Sequence, residues 1–339
     1  MKKILKILAI LIAVVIVLVA GLLGYVRFVL PNADPAPVIT VERTPERIER
    51  GKYLAHFVVS CIDCHSTRDF SKFAGPIVPG TEGKGGEKFT EDAGGVPGVI
   101  YSRNITPSGI PEYSDGELLR AFTTGVTRTN RALFPLMPYM AYSHLTQEDA
   151  YSIVAYIRSL QPIENQVPET ALNFPMNFIV NTIPLKSYTP APEPDRTNSL
   201  EYGRYLATVG ACADCHTPAV KGDKVPGMDF AGGFEFVFPG GVVRSLNITP
   251  DPETGIGSWT KEDFLARFKA FLSPETYSVT MGPNDFNTPM PWAMYAHLKD
   301  EDLSAIYDYL RIVKPVKHSV EKFTANPAGP AGWDSTLSD

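Results

Sequence analysis

The hydrophobic pattern of the first thirty residues differs from that of the rest of the chain. Ile7–Val26 runs for twenty residues without a charge. At about 1.5 Å of helical rise per residue, this segment matches a bilayer core about 30 Å thick. Residues 1–30 are therefore predicted to form a membrane anchor. The alternative is a cleaved signal peptide, although the apolar stretch is long and Leu18 lies where such a peptide has a small residue.

The charges around this segment predict its orientation. Three lysines precede the apolar stretch, and only Arg27 follows it within residues 1–30. Positively charged flanks stay in the cytoplasm, so the chain after Leu30 should lie on the periplasmic side of the inner membrane.

Beyond the anchor, apolar residues at helical spacing predict two pairs of helices. In the first half, Thr44–Glu46 offers a hydroxyl cap, a proline and an acid, which favour a helix start, and this helix should end at Cys61. In the second half, Asn198 caps a similar helix. Residues 148–160 and 301–313 carry apolar stripes that predict the last helix of each half.

The two halves repeat one another in the same order. Gly51-Lys-Tyr-Leu-Ala recurs as Gly203-Arg-Tyr-Leu-Ala, with one residue fewer before the next cysteine, and Asn104-Ile-Thr-Pro recurs as Asn247-Ile-Thr-Pro. This recurrence predicts a duplicated domain. The glycines should let the first and last helices of each copy cross closely. The predicted divisions are a first repeat at 42–161, a proline-rich packed linker at 162–197, a second repeat at 198–315 and a tail at 316–339.

All four cysteines of the chain fall in two C-x-x-C-H motifs. The motifs are Cys61-Ile-Asp-Cys64-His65 and Cys212-Ala-Asp-Cys215-His216. This pattern is typical of covalent c-type haem, in which two thiols bind one porphyrin and the histidine ligates iron. Two disulfides, one zinc site or two thioredoxin-like pairs are alternatives, but they do not account for a histidine after each pair. We predict two covalently bound haem c groups.

The opposite face of each iron needs a second ligand. Met137 and Met290 precede proline in irregular segments and are the favoured ligands, since proline keeps these segments out of a helix. His144 and His297 also correspond between the repeats and are the alternative, and a further methionine closely follows each favoured one. Methionine on both irons would leave no open position, which suits electron transfer rather than catalysis.

The charge balance outside the anchor restricts the partners. Residues 1–30 hold four of the 31 Lys and Arg residues and none of the 37 acids. The remaining 309 residues thus carry 27 basic and 37 acidic side chains, a formal charge of −10. Such an acidic body argues against nucleic-acid binding and predicts redox partners with basic docking faces.

These motifs resemble the class I cytochrome c fold in its tandem form, as in cytochrome subunits of membrane-bound alcohol, aldehyde and gluconate dehydrogenases. The resemblance covers about Glu42–Lys314. It implies a mainly α fold with two tandem domains, each a few short helices around a covalent haem, and it implies axial Met137 and Met290. That family usually has three haem domains, whereas this chain has two motifs and an amino-terminal apolar segment.

The resemblance also implies a function. A membrane-anchored dihaem cytochrome would pass electrons from a dehydrogenase or quinol to a terminal oxidase or cytochrome, with no catalysis of its own. The alternative is a dihaem peroxidase or oxidoreductase subunit with one ligand-accessible haem.

Overall fold

The computed structural model describes residues 2–238, 240–282 and 284–326. The chain starts with one long helix, α1 (Lys2–Phe28), which has no buried side chain and is long and apolar enough to cross a membrane. A signal sequence near an amino terminus has the same properties. This helix contains the predicted apolar span.

Helices form most of the regular structure in both repeats. Thr44 Oγ1 accepts a hydrogen bond from the Arg47 amide, and Asn198 caps the corresponding helix, as the residue pattern predicts. The first repeat holds α2 (Pro45–Tyr53), a π-helix (Leu54–Val58), α3 (Cys61–Cys64), α4 (Asp115–Thr124), α5 (Tyr139–Tyr142) and α6 (Gln147–Ser159). Next come α7 (Met176–Ile179) and a 3₁₀ turn (Val180–Thr182), and then α8 (Ser199–Val209), α9 (Cys212–Cys215), α10 (Lys261–Lys269), α11 (Pro274–Tyr277), α12 (Trp292–Tyr295) and α13 (Asp300–Leu310).

Each repeat also carries a three-stranded antiparallel sheet. The strands are β1 (Lys88–Phe89), β2 (Gly98–Tyr101) and β3 (Ala171–Leu172) in one sheet, a separate β4 (Ala219–Val220) and β5 (Asp223–Lys224) hairpin, and β6 (Glu235–Phe238), β7 (Gly241–Arg244) and β8 (Phe323–Ala325) in the other sheet. The mainly α prediction is therefore confirmed only in part. The glycine-rich segments at 72–98 and 218–241 contain, wholly or in part, most of these strands.

The third strand of each sheet lies beyond the last helix of its repeat. Strand β3 pairs with β2, and β8 pairs with β7. The linker and the start of the tail thus occupy equivalent places, each returning to cover the glycine-rich region of its own repeat.

The first and last helices of each repeat cross at glycine. A Cβ atom on Gly51 would lie 1.8 Å from the Ser152 carbonyl oxygen, and one on Gly203 would lie 1.8 Å from that of Ala305. Only a residue without a side chain allows this approach, so the predicted close crossings are present. One hydrophobic core cluster contains residues of all four crossing helices.

The extra residue of the first repeat lies in its π-helix. The segment from Gly51 to Cys61 is one residue longer than that from Gly203 to Cys212. In the first repeat the chain widens to π geometry over Leu54–Val58 before the cysteine motif. A π-bulge accommodates one added residue without moving the helix ends, so both motifs keep the same relation to their crossing helices.

Candidate haem-binding sites

Each cysteine motif forms a single helical turn entered from a left-handed residue. Ser60 has φ 52° and Ala211 has φ 55°. After the turn, the His65 amide donates to the Cys61 carbonyl at 3.0 Å, and the His216 amide donates to the Cys212 carbonyl at 2.9 Å. The two motifs therefore have matching backbones, which place two sulfurs and one imidazole on the same short turn.

The histidine rings are oriented by backbone carbonyls. His65 Nδ1 lies 2.7 Å from the Arg103 carbonyl oxygen, and His216 Nδ1 lies 2.8 Å from that of Leu246. A carbonyl only accepts, so Nδ1 carries the proton and the lone pair of Nε2 is left for a metal. Histidines that ligate metals are commonly fixed in this way.

Burial keeps these imidazoles neutral. It lowers the pKa of His65 and of His216, while the hydrogen bond from each ring to its carbonyl acts in the opposite direction. Because the neutral form is the one that ligates iron, the surroundings of both rings favour ligation.

The Asn-Ile-Thr-Pro loops hold the carbonyls that receive the histidines. Asn104 Oδ1 accepts hydrogen bonds from the Thr106 amide (2.9 Å) and hydroxyl (2.7 Å), and Nδ2 donates to the Ile163 carbonyl at 2.8 Å. In the second repeat, Asn247 Oδ1 likewise accepts hydrogen bonds from the Thr249 amide (2.9 Å) and hydroxyl (2.7 Å). Each loop is therefore rigid directly after its carbonyl-bearing residue.

Two glycines complete the histidine cradles. The amide of Gly85 donates to the His65 carbonyl at 2.8 Å, and that of Gly232 donates to the His216 carbonyl at 2.7 Å. Their φ angles are +68° and +73°, and a Cβ on either would lie within 2.6 Å of backbone atoms next to the carbonyl loops. Neither glycine was identified from the sequence, because a glycine cluster by itself predicts only a loop.

The four cysteines are not joined to one another by disulfides. Burial raises the pKa of Cys61, Cys64 and Cys212 to about 12 and that of Cys215 to about 11, although Cys64 and Cys215 are themselves exposed at the surface. A reactive or metal-binding thiol has the opposite shift.

Zinc coordination is also unsupported by the arrangement of side chains. Within residues 2–238, 240–282 and 284–326, no three His, Cys, Asp or Glu side chains group as a metal site. By contrast, two neutral thiols beside an oriented, neutral imidazole fit a covalently attached haem in each repeat.

The favoured methionines occupy identical turns in the two repeats. The carbonyl of Met137 and that of Met290 each accept the amide two residues onward at 2.8 Å. Pro138 (φ −79°, ψ 55°) and Pro291 (φ −78°, ψ 66°) lie between these groups and form an inverse γ-turn. Both methionines are half-buried. The axial role of both methionines stays a prediction.

The alternative axial residues have different surroundings. His144 and His297 are both exposed, and the ring of His297 packs 5.3 Å from that of Phe57. Of the neighbouring methionines, Met140 is exposed and Met294 is buried. Met140 and Met294 thus differ in burial between the repeats and the two histidines are exposed, whereas Met137 and Met290 are half-buried in matching turns.

Comparison with known proteins finds one matching family model and several named relatives. Residues 200–314 match the cytochrome c family model. The chain is 28% identical to the cytochrome c subunit of a quinone alcohol dehydrogenase from Komagataeibacter europaeus, over 88% of this chain and 60% of that subunit. It is 32% identical to the fructose dehydrogenase cytochrome subunit of Gluconobacter japonicus, over 87% of this chain and 58% of that subunit.

A shorter relative matches over nearly its whole length. A dihaem cytochrome c-type protein from Cereibacter sphaeroides is 27% identical over 89% of this chain and 97% of its own. The chain thus spans about three fifths of the dehydrogenase subunits and almost all of the dihaem protein. The predicted resemblance is confirmed: the chain contains a cytochrome c domain, a domain that binds haem c covalently.

Proposed function

We propose that the protein is a membrane-anchored dihaem cytochrome c that transfers electrons between redox proteins. The observation that carries this proposal is the same histidine-to-carbonyl geometry in both cysteine motifs. Residues 200–314 match the family, and the first repeat builds the same arrangement from the same residue types. Its donor would be a dehydrogenase or quinol, and its acceptor a terminal oxidase or another cytochrome.

The ligands follow from the two matching sites. Cys61 and Cys64 would attach one haem, with His65 and Met137 as its axial ligands. The equivalent residues Cys212, Cys215, His216 and Met290 would hold the second. The bound haem supplies a one-electron iron couple, to which histidine and methionine ligation gives a high potential. The chain itself orients each imidazole and would supply both ligands of each iron, which suits electron transfer.

Haem stoichiometry tests the two-site proposal. The purified chain should contain two covalent haems, as measured by pyridine haemochrome absorbance against protein concentration. Replacing both cysteines of either motif by alanine should leave one haem. The same count in a motif variant as in the wild type would contradict attachment at that motif.

Carbon monoxide binding tests the axial ligands and the alternative function. The reduced wild type should not bind carbon monoxide, whereas Met137→Ala and Met290→Ala should each open one haem. His144→Ala and His297→Ala are matched controls and should stay closed. A wild type that binds carbon monoxide at one haem would instead favour the peroxidase or oxidoreductase alternative.

The membrane attachment is proposed from α1 and its flanking charges. Helix α1 would be a single span of the inner membrane, with the repeats on its periplasmic side. The relatives' names as dehydrogenase subunits support a dehydrogenase donor for this chain too. After alkaline carbonate washing, the protein should stay with the membranes and retain its amino terminus. A soluble protein starting near residue 30 would show a cleaved signal peptide.

A further inference from the structure

The methionine loop of the second repeat is longer than its counterpart. Met290 lies 21 residues after the end of α10, whereas Met137 lies 13 residues after the end of α4. The added chain contains α11 and a segment that contacts the first repeat. The two methionine loops therefore differ in the contacts that position them, although the turns at Met137 and Met290 match.

The side chain of Asn287 joins this loop to the first repeat. Its Oδ1 accepts a hydrogen bond from the Ala74 amide at 2.7 Å, and its Nδ2 donates to the carbonyls of Phe70 (3.1 Å) and Lys72 (3.0 Å). All three partners are main-chain atoms of one segment, residues 70–74, which follows the first haem motif. The Asn287 amide thus bridges the repeats with both of its polar atoms.

Backbone pairing extends the same junction. The Phe73 amide donates to the Val279 carbonyl at 3.1 Å, and the Met281 amide donates to the Ser71 carbonyl at 2.8 Å. The ring of Phe73 stacks on that of Phe271 at 6.0 Å. The two segments therefore form a short strand-like contact with an aromatic pair beside it.

A chain of hydrogen bonds connects Asn287 to Met290. The Thr288 amide donates to Asn287 Oδ1 at 2.8 Å, and the Met290 amide donates to Thr288 Oγ1 at 3.2 Å. Thr288 is buried. In the first repeat, by contrast, the loop is held from within, because the Leu133 amide donates to the Gly125 carbonyl and the Met137 amide to that of Phe134.

We infer that Asn287 is a positioning residue that makes methionine ligation of the second haem depend on the first repeat. The inference rests on the proposed ligation by Met290. Without the Asn287 side chain, three hydrogen bonds across the junction are lost and Thr288 loses its partner. The loop then no longer holds the thioether in place, whereas Met137 is unaffected.

The test uses the full, haem-loaded chain with Asn287→Ala. We expect loss of up to half of the near-infrared methionine-to-iron absorbance of the oxidised protein, and binding of carbon monoxide by one of two reduced haems. Asn284→Ala is the matched control, since Asn284 lies in the same loop, is exposed and makes no hydrogen bond among the described residues. It should retain the full absorbance.

A variant in the first repeat tests the dependence between repeats. Phe73→Ala removes the ring stack without touching the second repeat's sequence, and should open the second haem as well. In a Met290→Ala background, neither Asn287→Ala nor Phe73→Ala should lower the methionine absorbance further. That result would assign their effect to the second haem. Full methionine absorbance in both Asn287→Ala and Phe73→Ala would overturn the inference. If Met290→Ala itself retained the absorbance, the proposed ligation would fail instead.

Discussion

Single glycines set how closely the terminal helices of each repeat approach. Gly51 presents no side chain to the Ser152 carbonyl, and an added Cβ would lie 1.8 Å from that oxygen. Gly51→Ala should therefore force the helices apart and lower the free energy of unfolding by about 1–3 kcal/mol, the usual range for overpacking. Denaturant unfolding followed by circular dichroism measures the change.

The control for this substitution lies on the same helix. Glu49 is exposed, so Glu49→Ala should change stability by no more than about 0.5 kcal/mol. Equal stability of Gly51→Ala and Glu49→Ala would show that the crossing tolerates a methyl group.

Residue patterns predicted some parts of the site and could not predict others. The C-x-x-C-H motifs are local, so spacing alone pointed to Cys61, His65 and their counterparts. The groups that orient the histidines are main-chain carbonyls of Arg103 and Leu246, whose side chains carry no signal. The recurrence of Asn-Ile-Thr-Pro indicated where these carbonyls lie, but not that they orient the histidines.

At the scale of elements, the π-helix brings a half-buried histidine into the first repeat. His56 has no counterpart in the second repeat, and its Nε2 lies 2.6 Å from the Tyr156 hydroxyl. Burial lowers the pKa of His56 to about 4, with Lys52 adding to the effect, Glu82 opposing it and His297 adding slightly. The folded protein thus keeps this ring neutral where the unfolded chain would protonate it.

This shift predicts a pH dependence of stability. Between about pH 6.5 and pH 4 the unfolded chain binds more protons at His56, so acidification favours unfolding. From pH 7 to pH 5, the wild type should lose about 1–2 kcal/mol more than His56→Gln, which cannot titrate. Urea unfolding at both pH values measures the difference. His144→Gln, at an exposed site, should follow the wild type, and parallel losses in all three proteins would contradict the prediction.

The elements themselves were predictable where the signal was local. Helix caps at Thr44 and Asn198 and the crossing helices were found from periodicity and capping residues. Strands β3 and β8 could not be predicted because their partners are distant: β2 pairs with β3 across about seventy residues of chain, and β7 pairs with β8 across about eighty. The π-helix had one sequence signal, the single added residue before Cys61, which specifies no geometry by itself.

At the scale of the whole molecule, the two repeats contact each other through reciprocal tyrosine–aspartate pairs. Tyr53 of the first repeat donates to Asp302 Oδ2 at 2.6 Å, and Tyr205 of the second donates to Asp149 Oδ2 at 2.6 Å. These tyrosines follow the crossing glycines at equivalent positions. Both aspartates are buried, so each carboxylate depends on its partners for hydrogen bonds.

The two pairs differ in their remaining partners, which predicts unequal effects of matched substitutions. Asp149 also binds Arg50 through two bonds of 2.8 Å. Among the described side chains, only Tyr53 hydrogen-bonds to the Asp302 carboxylate. Tyr53→Phe should therefore lower stability by about 1–3 kcal/mol, the cost of an unpaired buried polar group, and Tyr205→Phe by less. Denaturant unfolding of the two variants decides this, and a larger loss for Tyr205→Phe would contradict it.

The charge of the whole molecule outside the anchor predicts how it meets its partners. Residues 31–339 carry 27 basic and 37 acidic side chains, so their net charge is negative. Long-range attraction should therefore speed encounters with basic redox proteins. Added salt screens this attraction, because the Debye length falls from about 30 Å at 0.01 M to about 8 Å at 0.15 M. Stopped-flow rates of electron transfer to a basic redox protein should therefore fall over this range, while those to an acidic protein of similar potential should rise. Rates independent of salt with both proteins would mean that the acidic surface does not steer docking.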